Sequence, residues 1–179
     1  MAERAGRALT SSVARLSGPS ETGAAVVDDV LRQIESPAQC LLGRDVELTM
    51  KLAAGGAAVG LGPCDIDRIV LNLLTNARKA VCDGGKVALQ TRVFRRGGGR
   101  HVWLACSDTG PGVSPHSLTQ LLREGASSKR SGTGLGLAIV RRLVRDAGGS
   151  VEAIAEPTCG ATFAVTLPVV DRADPTLPS

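Results

Sequence analysis

The sequence predicts an α+β two-layer sandwich, in which a mixed β-sheet of about five strands packs on about three helices. One observation behind this prediction is a broad apolar stripe at helical spacing within residues 63–82. A second is a series of short strand-like segments around this helix that are joined by glycine-containing turns. Because the hairpins are short and one long helix precedes the central strand pair, the pattern favours an α+β fold.

The N-terminal part predicts two helices separated by a linker. Residues 3–16 carry apolar side chains near helical spacing, and Gly, Pro and Ser within 17–23 interrupt that pattern. Residues 24–35 predict a second helix. We expect it to stop at Ser36 and Pro37, because the residue before a proline disfavours the helical conformation.

A strand and a long helix follow. Polar and apolar residues alternate in 45–52, which predicts a half-buried strand. The Gly/Ala-rich stretch after it predicts a hairpin turn and a short strand. Pro63 opens the long helix, since proline is favoured at the first helical position, and the Asp-Gly-Gly sequence at 83–85 ends it.

The remaining chain predicts four strands, one loop and one helix. The predicted strands are 86–94, 101–108, 150–156 and 161–167. Residues 114–131 are polar and Ser-rich, which predicts a mobile loop, and a helix is expected over 134–148. The proline-rich residues 169–179 predict a frayed tail.

Composition excludes several functional classes. A hydrophobic fraction of 43% and a charged fraction of 21% exclude disorder as the main state of the 179 residues. The net charge of +4 comes from scattered basic residues, and only three residues are aromatic, so the sequence predicts no nucleic-acid partner. No stretch approaches the roughly 20 apolar residues of a membrane span, so we expect no membrane contact by this segment.

The cysteines indicate a reducing compartment rather than a metal site. The five are Cys40, Cys64, Cys82, Cys106 and Cys159. They form no CxxC pair and, with two histidines in the chain, offer no zinc-ligand spacing. Several lie within apolar runs, which predicts buried, reduced thiols and a cytoplasmic location.

Two asparagines stand four residues apart in the long helix. Asn72 and Asn76 therefore project from one face, where a mid-helix asparagine is unfavourable unless its amide meets water or a partner. An amide oxygen is a hard, uncharged ligand that suits Mg²⁺ already neutralised by phosphates. Lys79, one turn further on, could contact a phosphate. The alternative is a helix whose polar face carries asparagine without any ligand.

Asp108 ends an apolar strand just before Gly110 and Gly112. A carboxylate at this corner can accept a hydrogen bond from an exocyclic amine, and glycines let a flat ring approach the backbone. The alternative is a tight turn in which the aspartate bonds to its own backbone.

A glycine-rich string leads directly into the last predicted helix. It consists of Gly132, Thr133, Gly134, Leu135 and Gly136. Backbone amides at a helix N-terminus bind phosphate well. The string is not the GxGxxG dinucleotide fingerprint, because a loop precedes it, and the chain contains no GxxxxGK[ST] phosphate loop.

In this order, NLLTNA, DTGPGV and GTGLGLAIV resemble the ATP-binding catalytic domain of bacterial sensor histidine kinases, within the GHKL superfamily and its Bergerat fold. The closing CGATFAVTLP is similar to the last strand pair of that family, and the resemblance covers about residues 24–168. It implies a protein-histidine kinase that binds Mg²⁺-ATP and transfers the γ-phosphoryl group to a histidine on a separate helical dimerisation segment. The phosphoryl group would then pass to the receiver domain of a response regulator.

The resemblance assigns roles to the residues of the long helix. Asn76 matches the Mg²⁺-coordinating asparagine, and Asn72 matches a position that supports the phosphate side. Lys79 matches a position that often touches the terminal phosphate. These three residues are the expected catalytic group.

The resemblance also implies a nucleotide pocket and a lid. Asp108 resembles the adenine-reading carboxylate, Gly110 and Gly112 shape the pocket, and Thr162 resembles a threonine that helps to hold adenine. Residues 114–131 would form the ATP lid. The expected phosphate contacts in and after the lid are Arg123, Lys129, Arg130, Gly132, Thr133, Gly134, Leu135 and Gly136.

Two features depart from the family pattern. Neither His101 nor His116 lies on an N-terminal helix, where the family carries its phosphoacceptor, and the lid lacks the phenylalanine of many relatives. We therefore interpret residues 1–23 as the remnant of an upstream helical hairpin, 24–168 as the catalytic domain and 169–179 as a flexible tail. The native protein is then either this cytoplasmic portion alone or part of a larger, membrane-anchored sensor.

Two other functions within the superfamily remain open. One is a GHKL ATPase or serine kinase, in whose relatives a glutamate stands at the position of Asn72 as a general base. An amide cannot take a proton in this way, whereas an imidazole acceptor needs less activation. The other is a non-catalytic protein-interaction or phosphotransfer module, which predicts damaged motifs, yet all motif positions are intact here.

Overall fold

The computed structural model describes residues 23–112, 135–155 and 160–171. Its helices are α1 (Val27–Leu42), α2 (Pro63–Ala80) and α3 (Leu135–Asp146). Its strands are β1 (Ala25–Val26), β2 (Val46–Ala53), β3 (Ala58–Val59), β4 (Gly85–Arg96), β5 (Gly99–Asp108), β6 (Ser150–Ala155) and β7 (Ala161–Pro168). The predicted helix at 3–16 and the predicted lid at 114–131 lie outside the described residues.

The main sheet has five strands in the order β2-β4-β5-β7-β6. β2 pairs with β4 in parallel, and all the other pairs are antiparallel, so the sheet is mixed. β1 and β3 form a separate antiparallel pair. The predicted class is confirmed: a mixed five-stranded sheet carries a layer of three helices.

The core lies between the three helices and one face of the sheet. Because side chains alternate across a strand, Val102, Leu104 and Cys106 of β5 all point into this layer and are buried. From the helices, Leu31 and Leu74 join the same core and are fully buried. The apolar side chains that alternate along the strands and those that form stripes on the helices thus pack together in one hydrophobic core.

Helix α1 continues past the predicted stop at Ser36 and Pro37 and ends at Leu42. Proline removes one helical hydrogen bond, but Ala38 and Leu42 beyond it are fully buried and keep the helix on the core. The helix ends at Gly43, whose φ of 87° suits glycine. Tertiary burial therefore outweighs the local signal from proline.

The short strand after β2 has a different partner from the one predicted. β3 pairs with β1 rather than folding back on β2 as a hairpin. The same region holds the chain after β7, since the Val169 amide donates to the Arg100 carbonyl and the Val170 amide donates to the Ala58 carbonyl. Residues 169 and 170, predicted as the start of the tail, are thus hydrogen-bonded to the domain.

Two of the four described cysteines are buried, as predicted for several of them. Cys64 and Cys106 are buried, whereas Cys40 and Cys82 are exposed. Burial, together with the nearby Asp108 carboxylate, raises the pKa of the Cys106 thiol to about 12. This thiol is therefore protonated at neutral pH. Among the described helices, none is both long and apolar enough to span a bilayer.

Candidate functional site

A cavity of about 160 Å³ lies between the helical layer and the end of β5. Its lining residues are Asn76, Ala80, Asp108, Gly112, Leu137, Ala161 and Phe163. They come from α2, from the β5 end and the turn after it, from α3 and from β7. Three of the segments singled out in the sequence, which are far apart along the chain, therefore meet around one cavity.

Asp108 supplies the carboxylate of this cavity and is only 6% exposed. Its Oδ1 accepts a hydrogen bond of 2.9 Å from the Gly110 amide. Burial raises the pKa of this carboxyl, and hydrogen bonds from the backbone amides of Gly110 and Ala161 partly offset that effect. The self-bonded turn and the cavity-facing carboxylate, which the sequence left as alternatives, occur together.

Three glycines let the backbone close around Asp108. A Cβ on Gly110 would lie 2.7 Å from the Ala80 carbonyl oxygen, which is too close. Gly112 has a φ of 78°, and a Cβ there would lie 3.1 Å from the Gly160 carbonyl oxygen. Gly160, which the sequence reasoning did not single out, has a φ of 98° and packs against the Asp108 carbonyl. Its position just before an apolar final strand was the available signal.

Asn76 brings an unsatisfied amide to the cavity. Its Nδ2 is buried and has no hydrogen-bond partner among the described residues. A buried polar group without a partner indicates that a ligand completes the site. The side chain can present either its nitrogen or, after rotation, its oxygen, since the two ends of an amide have the same shape.

Asn72 and Lys79 do not line the cavity in the described part of the chain. The Asn72 Nδ2 donates a hydrogen bond of 2.7 Å to the Arg68 carbonyl one turn earlier. Lys79 is exposed, one helical turn beyond Asn76. The structure thus brings only one member of the predicted catalytic group, Asn76, directly to the cavity.

Thr162, predicted to help hold adenine, is not among the residues that line the cavity. Its hydroxyl hydrogen-bonds the Ser107 hydroxyl at 2.7 Å. Ser107 precedes Asp108 in β5, so it points to the opposite face of the sheet, and Thr162 pairs with it there. Ala161, one residue earlier, takes the cavity position instead.

The remaining predicted phosphate contacts divide between described and undescribed residues. Those outside the described residues are Arg123, Lys129, Arg130, Gly132, Thr133 and Gly134. Leu135 begins α3, and Gly136 lies in its first turn against α2. Sequence reasoning did not identify Ala80, Leu137, Ala161 or Phe163, whose only signal was membership of apolar stripes.

The sequence matches a known family model. The model for histidine kinase-, DNA gyrase B- and HSP90-like ATPases matches residues 63–171, which is more than half of the chain. That range includes every residue lining the cavity.

Curated relatives are sensor kinases. The sensory histidine kinase/phosphatase NtrB of Escherichia coli O157:H7 is 32% identical over 90% of this chain and 49% of its own length. The sensor histidine kinase ZraS of Klebsiella oxytoca is 29% identical over 78% of this chain and 30% of its own length. The C4-dicarboxylate transport sensor protein DctB of Rhizobium meliloti is 38% identical over 57% of this chain and 16% of its own length. The chain thus spans at most about half the length of these relatives.

Solved structures agree with the sequence relatives, and together they show the family. The mycobacterial sensor histidine kinase MprB is 26% identical with a TM-score of 0.64, over 83% of this chain and 97% of that one. Full-length ShkA in complex with AMPPNP is 27% identical with a TM-score of 0.64, over 90% of this chain and 35% of that one. The chain therefore belongs to the family of histidine kinase-, DNA gyrase B- and HSP90-like ATPases, and its fold is that of the ATP-binding catalytic domain of sensor histidine kinases.

Proposed function

We propose that this domain binds Mg²⁺-ATP in the cavity and transfers the γ-phosphoryl group to a histidine on a separate helical segment. The observation that carries the proposal is the pairing, in one cavity, of a buried carboxylate from Asp108 with the unpartnered amide of Asn76. The family match and the nucleotide analogue in the ShkA complex support ATP as the ligand.

The adenine base would lie in the corner formed by the end of β5. The Asp108 carboxylate is an acceptor suited to the exocyclic amine of adenine. Leu137 and Phe163 supply apolar surface for a flat ring, and Gly112 leaves the backbone open beside it. A guanine base would present a carbonyl oxygen to the carboxylate, and two acceptors repel each other, so the corner should select adenine.

The phosphates would extend from this corner towards Asn76. Its amide oxygen fits Mg²⁺ because it is a hard, uncharged donor, while the phosphate oxygens supply the remaining ligands and the negative charge. When bound, the metal would neutralise charge on the phosphates. The unpartnered atom in the structure is the Asn76 Nδ2, which would instead donate to an oxygen of the ligand while the Oδ1 faces the metal.

Two further groups would flank the phosphates. The backbone amides at the start of α3 would face them, because a helix N-terminus favours negative charge. Lys79, exposed one turn beyond Asn76, is placed to meet a phosphate only if ATP extends along α2.

The chemical step itself needs little from the protein beyond positioning. A nitrogen of the acceptor imidazole forms a bond to the γ-phosphorus as the bond to the bridging oxygen breaks, and ADP leaves. A neutral imidazole has a free lone pair at physiological pH, so no general base has to activate it. Holding the γ-phosphoryl group in line with this nitrogen is then the main contribution of the domain.

Asn72 favours a histidine acceptor over water or serine. Attack by water or a hydroxyl group benefits from a general base, typically by about 10²–10⁴-fold. An amide cannot accept a proton, and the Asn72 nitrogen already donates to the Arg68 carbonyl. The phosphoacceptor helix and the receiver domain of a response regulator would be the partners, with this portion located in the cytoplasm.

Calorimetric titration of Asn76→Ala tests the proposal. We expect Mg²⁺-ATP binding to weaken by about tenfold or more, because a ligand of the metal is lost, while metal-free ADP binding changes little. Thr75→Ala is the matched control: Thr75 lies on the same helix, and its hydroxyl donates 2.7 Å to the Leu71 carbonyl, away from the cavity lining. If Asn76→Ala weakens the binding of Mg²⁺-ATP and of metal-free ADP equally, Asn76 is not a metal ligand.

A further inference from the structure

At Gly136, in the first turn of α3, the backbone of this helix approaches α2 with no Cβ in between. Gly136 faces Asn72, and a Cβ built on Gly136 would lie 2.6 Å from the Asn72 Oδ1 and 3.4 Å from its Cγ. The first distance is shorter than real Cβ contacts. The amide of Asn72 therefore occupies the space in which a residue-136 side chain would lie.

The orientation of the Asn72 amide is fixed by a hydrogen bond from its nitrogen. The Asn72 Nδ2 donates to the Arg68 carbonyl at 2.7 Å, and a carbonyl can only accept, so the nitrogen is identified and the oxygen must face α3. This oxygen, a partial negative charge, lies beside the positive N-terminal end of α3, which is an electrostatically favourable arrangement.

We infer that Asn72 is a positioning residue: its amide sets the distance between α2 and the first turn of α3. The inference rests on the proposed function, in which the backbone amides of that turn face the phosphates. An acceptor oxygen directed at α3 is poorly suited to contact a phosphate itself, since both carry negative charge. Asn72 thus acts through α3 rather than through the nucleotide.

The contact is tested by one substitution, Gly136→Ala, whose effect on thermal stability should have opposite signs in the native protein and in Asn72→Ala. Glycine is a poor helix former, so Gly136→Ala should stabilise α3 if nothing opposed the methyl group. In the native protein we expect the reverse, a fall in the thermal midpoint by about 2–8 °C, because the methyl overlaps the Asn72 oxygen. In an Asn72→Ala background the nearest remaining atom is the residue-72 Cβ at 3.7 Å, an ordinary contact. There, the same Gly136→Ala change should raise the midpoint by about 2–4 °C.

Nucleotide binding supplies a readout that general destabilisation would not mimic. Asn72→Ala and Gly136→Ala should each weaken ATP binding by about tenfold. Adenosine binding should weaken less, since Asp108 and Phe163 lie on strands and only Leu137 of the proposed adenine contacts lies on α3. The double variant should bind ATP better than either single variant, because the methyl group added at position 136 refills the space vacated by the amide.

The possible outcomes separate this inference from the proposed function. If Gly136→Ala stabilises the native background, or if the two substitutions add without coupling, the positioning role is wrong even when ATP binds normally. If the wild-type protein binds no ATP, the proposed function fails, yet the sign reversal in thermal stability still tests the contact. Thr75→Ala is the control for losing a side-chain bond to the preceding turn of α2, and it should show no coupling to residue 136.

Discussion

At the scale of single residues, the carboxyl group of Asp108 has a pKa above its ordinary value. Burial raises the pKa of its carboxyl, and two backbone amides partly offset that effect. The native state therefore holds the proton more tightly than the unfolded chain does. The contribution of this group to stability is greatest at low pH and declines as pH rises from the ordinary aspartate value through the raised native pKa.

ATP binding should have the opposite dependence on pH. The adenine amine needs the ionised carboxylate as its acceptor, so affinity should fall on acidification through the native pKa of Asp108, above the pH at which an exposed aspartate titrates. We expect Asp108→Asn to bind ATP about 10–100-fold more weakly at neutral pH and to lose this acid limb. Calorimetry from neutral to acidic pH measures the affinity and its pH dependence. If ATP affinity still falls on acidification in Asp108→Asn, the group that titrates is on the nucleotide and not Asp108.

At the scale of elements, the cavity depends on how closely the turn after β5 meets the start of β7. Gly160 makes this approach possible, because it lacks a Cβ where the Asp108 carbonyl lies and adopts a φ of 98°. The amide of Ala161, the next residue, then donates to the Asp108 carboxylate. One glycine thereby positions both the carboxylate and the cavity wall.

Substitution of Gly160 should lower the free energy of unfolding by much more than its positive φ alone would. Gly98, in the β4–β5 turn, has a φ of 82° but open space around it, so Gly98→Ala should cost only about 1–2 kcal/mol of unfolding free energy. Gly160→Ala adds a collision with backbone and should cost at least about 2 kcal/mol more. Urea unfolding of the two variants compares them; equal losses would mean that the turn can relax.

A buried carboxylate in the first turn of α1, that of Asp28, also connects secondary-structure elements. Asp28 is fully buried, accepts 2.7 Å from the Thr91 hydroxyl of β4 and accepts 2.8 Å from the Gly55 amide after β2. The Thr91 oxygen in turn accepts from the amides of Ala53 and Ala54. Helix α1 is thereby tied to two neighbouring strands of the sheet.

Removal of this carboxylate should destabilise the whole domain. Asp28→Ala leaves the Thr91 hydroxyl and the Gly55 amide without their acceptor, which should cost about 2–4 kcal/mol. Asp29→Ala is the matched control: this next residue is exposed, and its side-chain contact within the described residues is a surface ion pair with Arg32, so its loss should cost less than about 1 kcal/mol. Denaturant unfolding distinguishes the two, and similar values would contradict a structural role for Asp28.

At the scale of the whole molecule, the described acceptor candidate stands far from the cavity. His101 and Asp108 are seven residues apart on β5, so about 23 Å of extended strand separates them. The imidazole also packs against the Phe94 ring, with centroids 5.7 Å apart. His116 lies outside the described residues.

The isolated chain should therefore bind ATP without labelling itself. Phosphoryl transfer needs an imidazole within near-attack distance of the γ-phosphate, which His101 cannot reach. Incubation with labelled ATP should give no acid-labile phosphoprotein and little free phosphate, and a separate helical hairpin with the cognate histidine should become labelled. This prediction is falsified if the chain alone is phosphorylated stoichiometrically, and His101→Ala would then show whether that residue is the acceptor.

The sequence alone was sufficient for the fold class and for the two side chains that define the cavity. Asn76 follows a long apolar stripe in α2, and Asp108 follows an apolar strand, so local periodicity already placed both on their elements. The motif order then indicated that they belong to one site. These features were predictable because each depends on residues close by in the chain.

Only the tertiary structure decided which way several other side chains point. Thr162 and Ala161 are neighbours in sequence, yet strand geometry places the first on the opposite face of the sheet, where it is buried beside Ser107, and the second at the cavity. Asn72 turns its amide to the Arg68 carbonyl and to Gly136, and α1 passes through Pro37 because Leu42 is buried. Packing against another element contributes in each case: the strand partner of Thr162, the start of α3 beside Asn72, and the core around Leu42. On a strand, a shift of one residue reverses the face.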